Sequence, residues 1–159
     1  GHTDEAGYCL VSSAVRDGMR LVSVVFGTNS EQARAAETQK LLTYGFRFFE
    51  TRTFYQKGTE LAQAQIWKGA DRQVKAGLAN DLTLTLPKGQ LDKLQAGMTL
   101  NPQLIAPIQK GDVIGKVEVK LADEVVHSAD LVALDTVEEG GVFRRLWDSI
   151  RLFFYALFN

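Results

Sequence analysis

The sequence predicts an α+β chain in three successive parts, and three observations predict it. An Asp17-Gly18 pair sits between two long apolar runs, which is a strong short-range hairpin signal. From residue 51 to 137 no helical period is sustained, and short alternating runs recur between turn residues. From Gly141 onward, large apolar residues return at helical spacing. The expected order is a hairpin with a helix, then a small all-β sandwich, then a C-terminal amphipathic helix. The expected boundaries are 1–50, 51–140 and 141–159.

The hairpin is expected at 8–15 and 19–26, around the turn Arg16-Asp17-Gly18. Both strands are apolar on both sides. Leu10 and Ala14 oppose Cys9, Val11 and Val15 in the first, and Leu21 and Val25 oppose Val22, Val24 and Phe26 in the second. Strands of that kind are covered on both faces. Too few residues of the same style come after them to do this, so the expectation is a chain that starts inside a domain. Thr28 with Glu31 fits a capping box, and Asn29 or Ser30 is an alternative cap. A helix is expected over 30–49. Its expected apolar face is Ala33, Ala36, the stem of Lys40, Leu41, Tyr44 and Phe48, with Gly45 marking close packing on the hairpin.

Between 51 and 137 the clear runs are 65–68, 82–86, 113–121 and 131–137, with one helical turn at 91–94. Lys57-Gly58, Lys68-Gly69, Pro87-Lys88-Gly89, Lys110-Gly111-Asp112 and Ala122-Asp123 separate them. Short strands with regular turn signals suggest a sandwich.

In the tail, Val142, Phe143, Leu146, Trp147, Ile150, Phe153, Phe154 and Leu157 are apolar at helical spacing, and Arg144, Asp148, Arg151 and Tyr155 form an opposite stripe. The charges at Arg144, Arg145, Asp148 and Arg151 exclude a comfortable span, which needs about 20 mostly apolar residues. A helix of this composition lies in a membrane interface. Phe143, Trp147, Ile150, Phe154 and Leu157 are the expected anchor face, and the arginines add attraction to an anionic membrane surface. A helix packed on protein is the alternative.

Composition excludes several classes. The net charge of −1 lacks the basic excess of a nucleic-acid binder. Cys9 stands alone, so no internal disulfide forms, and within the hairpin it reads as a small apolar residue. His127 has neither Cys nor a second His nearby, so no metal site is expected. Trp67 and Trp147 read as core and interface anchor, and no cofactor is expected. His2 with Asp4 is not a triad, because residues two apart on a strand need not bond and no Gly-x-Ser-x-Gly elbow is present.

The opening Gly1-His2-Thr3-Asp4-Glu5-Ala6-Gly7-Tyr8 resembles the stretch after Lys-Thr in the third signature, Lys-Thr-Gly, of the penicillin-recognising serine enzymes. More narrowly, it is similar to D-alanyl-D-alanine carboxypeptidases of the penicillin-binding protein 5 and 6 type. The resemblance continues through Gly18-Met19-Arg20-Leu21, the run Lys40 to Glu50, and Leu86-Pro87-Lys88-Gly89-Gln90. Ala106-Pro107-Ile108-Gln109-Lys110, Glu138-Glu139-Gly140-Gly141 and the aromatic tail extend it over essentially the whole chain.

That resemblance implies that residues 1–50 are the C-terminal part of a penicillin-binding, serine β-lactamase-like catalytic domain. A β-rich domain and a membrane anchor would come next. It implies a serine enzyme at the periplasmic face of a bacterial inner membrane. Such an enzyme trims D-alanine from peptidoglycan pentapeptides through an acyl-enzyme and is acylated by β-lactam antibiotics. The Ser-x-x-Lys and Ser-x-Asn motifs are absent here, so the chain alone is expected to be inactive, with Lys-Thr expected directly before Gly1. By resemblance, the strand bearing Gly1 lines the cleft, and the backbone N–H of His2 belongs to the oxyanion hole. Arg34 would bind the peptide's terminal carboxylate, although Ala33 and Ala35 stand where the family has Gly-Arg-Glu. Two rivals stay open: a non-enzymatic, membrane-anchored β-domain that only binds, and a β-lactamase. β-Lactamases generally end soon after their C-terminal helix, without a 51–137 domain.

Overall fold

The structure, a computed structural model, describes the backbone of residues 1–158 and the side chains of residues 1–151 and 153. It contains two compact units. One is Gly1–Arg52 with Thr83–Asp92, and the other is Thr53–Leu82 with the chain from Lys93 on.

The first unit is built on a hairpin. Strands β1 (His2–Thr3), β2 (Gly7–Arg16) and β3 (Met19–Thr28) form an antiparallel sheet in the order β1-β2-β3. Arg16 pairs with Met19, so the connection is the two-residue turn Asp17-Gly18. Both turn residues have positive φ, 50° and 77°, as the type I′ geometry of a tight hairpin requires. A register shift between Tyr8 and Leu10 bends β2 near its start.

Helix α1 (Glu31–Phe48) covers one face of this hairpin. Of the three candidate caps, Ser30 performs the role: its hydroxyl accepts the Ala33 N–H at 3.0 Å. The face turned inward carries Arg34, Thr38, Leu42 and Gly45, spaced by four, four and three. This corrects the expected face. Leu41, Tyr44 and Phe48 are exposed, Tyr44 at 58%. The helix approaches the sheet closely, and small residues permit it. A Cβ on Gly45 would lie 2.4 Å from Leu21 Cδ1. Apolar size therefore pointed to the wrong stripe.

The covered face of the hairpin holds Met19, Ser23 and Val25, all buried. The other face, with Val11, Val15, Val22, Val24 and Phe26, is exposed in this chain, Phe26 at 71%. Within this chain, therefore, α1 covers one face of the hairpin only.

Strands β4 (Phe49–Tyr55) and β7 (Leu82–Pro87) pair as a separate ribbon. Thr51 and Thr85 share a hydroxyl bond of 2.7 Å, Glu50 accepts the Gly89 N–H at 3.0 Å, and Arg52 pairs with Asp92 at 2.9 Å. These bonds explain why 83–92 groups with the first unit, although its alternating style matches the second.

The second unit is one six-stranded sheet. β5 (Ala62–Trp67), β6 (Gln73–Leu78), β8 (Leu94–Leu100), β9 (Leu104–Ile105), β10 (Val113–Leu121) and β11 (Glu124–Ala133) take the order β8-β10-β11-β6-β5-β9. Only β5 and β9 pair in parallel. The expected sandwich is thus a single sheet. Its two register shifts, at Val113/Gly115 and Val119/Lys120, bend the long β10–β11 pair. A common core then collects Ala64, Ile66, Val74, Ala76, Leu104, Ile114 and Ala133 from the strands, with Ala106, Ile108 and Val137. Each expected turn signal holds a residue in the left-handed region, including the non-glycines Lys68 and Ala122. β10 matches the expected run, and Leu91–Lys93 is a 3-10 turn. β4, β6, β8 and β9 were not foreseen, and the expected runs 65–68 and 131–137 overlap only the last residues of β5 and β11.

Leu131 is fully buried and Val125 is 45% exposed on the same strand. Leu131→Ala is expected to cost about 2–5 kcal/mol through lost burial and a residual cavity. Val125→Ala should stay within about 0.5 kcal/mol. Thermal and urea melts of the two variants check this, and equal losses would contradict the core described above.

Candidate functional site

The residues singled out at the start of the chain converge. Gly1 and Cys9 exchange both backbone bonds: the Cys9 N–H donates to Gly1 O at 2.8 Å, and the Gly1 nitrogen donates to Cys9 O at 3.0 Å. In an antiparallel pair, bonded positions alternate with non-bonded ones. His2, opposite Tyr8, is therefore a non-bonded position, and its N–H is turned to the free edge of β1. The His2 ring lies on the Tyr8 ring with centroids 3.9 Å apart.

Arg34 reaches this strand end from the first turn of α1. Its Nη1 donates to Cys9 O at 3.2 Å and to Gly1 O at 3.4 Å, and its Nη2 donates to Glu31 Oε1 at 2.8 Å. Its Cζ lies 5.8 Å from the Tyr8 ring centroid. The side chain is only 20% exposed. Gly1, His2 and Arg34 thus meet at one corner of the sheet. Sequence reasoning did not bring in Glu31 and Tyr8. The i,i+3 spacing of Glu31 and Arg34 on a helix was the available signal for the first. Nothing in the spacing marked Tyr8. Cys9 is half-buried, and its Sγ lies 3.5 Å from Ala6 O. Among the described residues no cluster of His, Cys, Asp and Glu could hold a metal ion.

The expected anchor residues lie on α2 (Val142–Phe158). Phe143 is 90% and Trp147 64% exposed, and Ile150 is exposed with them, as are Val142, Leu146 and Phe153. The side chains of Phe154 and Leu157 lie outside the described residues. The opposite stripe is occupied by protein. Arg144 donates to Ala70 O, and Asp148 Oδ2 accepts the Lys68 N–H at 2.8 Å. The Arg151 guanidinium lies 5.7 Å from the Trp67 ring centroid. Arg145 pairs with Glu139 at 2.6 Å. Each arginine of the helix therefore has a partner in its own unit, where the sequence had led us to expect arginines free for headgroups. No described helix is long and apolar enough to cross a membrane.

Comparison with known proteins finds two families along the chain. The family "Penicillin-binding protein 5, C-terminal domain" matches residues 49–139, and the family "D-alanyl-D-alanine carboxypeptidase" matches residues 1–30. The D-alanyl-D-alanine carboxypeptidases DacC and DacA of Escherichia coli are each 41% identical over 160 residues, covering all of this chain and 40% of theirs. The crystal structure of penicillin-binding protein 5 from Haemophilus influenzae superposes with a TM-score of 0.80 at 40% identity, over 87% of this chain and 41% of that one. The carboxypeptidase DacD of Francisella tularensis gives 0.58 at 35% identity, over 87% and 35%. The chain spans about two fifths of the length of these curated relatives.

Proposed function

The chain belongs to the penicillin-binding protein 5 C-terminal-domain family, and from that premise we propose that the intact protein is a serine D-alanyl-D-alanine carboxypeptidase. The observation that carries the reading is the meeting of the Gly1 strand end, the edge-facing His2 N–H and the Arg34 guanidinium. The relatives' names and the match at residues 1–30 support it.

In this reading a serine on the rest of the protein attacks the carbonyl carbon of the penultimate D-alanine of a peptidoglycan pentapeptide. The serine proton passes to a base and on to the leaving amine. The peptide bond breaks, terminal D-alanine departs, and water hydrolyses the acyl-enzyme. Negative charge gathers on the carbonyl oxygen in the tetrahedral intermediate. The His2 N–H donates to that oxygen from a strand already held in register, so no reorganisation is needed as the charge forms. Arg34 holds the terminal carboxylate. Its bonds to Gly1, Cys9 and Glu31 fix the plane of the guanidinium and leave further N–H groups to bind the substrate. A β-lactam carries a similar carboxylate and acylates the same serine. The exposed apolar faces of the hairpin and of α1 would be covered by the remainder of the catalytic domain, since patches of that kind are seldom left bare. Residues 1–159 alone contain no Ser with Lys three residues on and should release no D-alanine.

The exposed stripe of α2 supports a peripheral anchor on the periplasmic face of the inner membrane. Burying each large side chain of that stripe in the interface contributes about 1.5–3 kcal/mol before ordering costs.

Release of D-alanine from a D-Ala-D-Ala peptide by the intact protein tests the activity. Arg34→Ala should lower kcat/KM by about 2–4 kcal/mol, the scale of losing a charge-assisted contact to a carboxylate. An unchanged kcat/KM would remove Arg34 from the site, and absence of release by the wild type would reject the enzyme in favour of a binding module.

Vesicle co-sedimentation tests the anchor. Deleting residues 142–159, or replacing Phe143 and Trp147 with Glu, should leave the intact protein in the supernatant with its peptidase activity retained. Equal sedimentation of wild type and deletion would contradict a membrane role for α2.

A further inference from the structure

We infer that α2 is seated on its own β-domain through its polar stripe, with Asp148 as the central acceptor, so that its apolar stripe is held outward as one fixed surface. This deepens the anchor reading and rests on it for its purpose, while the seat itself can be tested without a membrane.

The seat is built from backbone first. The corner Lys68-Gly69-Ala70 comes directly after β5, and Lys68 sits in the left-handed region at φ 61°. The segment before α2 lies directly against this corner. The Ala70 N–H donates to Glu138 O at 2.8 Å, and the Gly140 N–H donates to Lys68 O at 2.7 Å. Gly69 and Glu139 form an antiparallel bridge. The approach is too close for a side chain: a Cβ on Gly140 would lie 2.7 Å from Gly69 O. Gly140 is therefore a packed position at this junction, while Gly141 beside it has open space around its Cα.

That junction delivers the polar stripe of α2 to the same corner. The corner has a backbone donor, the Lys68 N–H, and a backbone acceptor, Ala70 O, directed outward. Asp148 accepts from the first at 2.8 Å and Arg144 donates to the second. Arg151 lies over Trp67, the last residue of β5. Donor meets acceptor at Arg144 and Asp148, and Arg144, Asp148 and Ser149 are half-buried while the described apolar residues opposite are exposed. A helix bonded in this way does not roll freely. Its stripe arginines also have partners within the protein, Arg144 at Ala70 O and the exposed Arg151 over the Trp67 ring, which headgroup-binding arginines would not need.

The test is amide hydrogen exchange on the intact protein without lipid, with thermal melting of each variant to confirm that the β-domain is folded. Asp148→Ala should speed exchange of the Lys68 amide and of the first turns of α2 by about tenfold or more, the scale of losing a bond to a charged acceptor. Asp148→Asn, which keeps an acceptor oxygen, should restore most of the protection. Exchange unchanged in Asp148→Ala would overturn the seat. A second arm uses vesicles with and without phosphatidylglycerol. Arg144→Gln and Arg151→Gln should lower anionic-vesicle binding by less than about threefold while loosening α2 in solution. A loss above about tenfold, with α2 exchange unchanged, would make the stripe a headgroup surface and overturn the proposal. If the wild type binds no vesicles, the anchor reading fails, and the exchange result still decides the seat.

Discussion

The pairing of β2 with β3 is the constraint on which the first unit depends. It fixes which residues face α1, where β1 adds, and which carbonyls reach Arg34. Side chains alternate along a strand, so a slip of one residue would exchange the two faces. Met19, Ser23 and Val25 would leave the cover of α1, and Val22, Val24 and Phe26 would press against it. The Asp17-Gly18 turn prevents this, because a two-residue connection in type I′ geometry admits one register. The Gly1–Cys9 pair then stands where Arg34 can bridge both carbonyls, and the site geometry derives from the turn.

Local chemistry made part of this legible in the sequence. Turns were readable because they need particular residues: each expected turn signal holds a residue of positive φ, and β10 runs between two of them. The close packing at Gly45 was readable for the same reason, whereas the cap fell on Ser30, an alternative to the expected Thr28–Glu31 box. Features decided by long-range packing were less visible. α1 turns Thr38 and Gly45 inward, and its larger residues Leu41, Tyr44 and Phe48 face out, so hydrophobicity pointed to the wrong stripe. The hydroxyls of Ser12, Ser23 and Thr38 are buried there without a hydrogen-bond partner among the described residues, and no local rule would place them so. The second unit was expected as a small sandwich, and only three of its six strands overlap the expected runs, all six joined in one hydrogen-bonded sheet. The β5–β9 parallel pair, made by two residues on each strand, joins strands that alternation alone would divide.

The tail presents the same contrast. Helical period and the apolar stripe were plain in the sequence, and so were the residues opposite. Their partners were not, because the Lys68 N–H and Ala70 O are backbone groups, whose direction depends on the φ of Lys68 and on the closeness of Gly140. At the other end of the chain, Arg34 could be singled out by resemblance, while Glu31 and Tyr8, which orient it, emerge only from the fold.

The central claim is that this chain supplies the oxyanion donor and the carboxylate binder to a serine carried elsewhere in the intact protein. Peptide mapping by mass spectrometry after brief exposure of the intact protein to penicillin tests it most directly. The account predicts a stoichiometric acyl adduct on a serine outside residues 1–159, formed more slowly when Arg34 is replaced by Ala. An adduct on Ser12, Ser23 or any other serine of this chain, or no adduct at all, would contradict it.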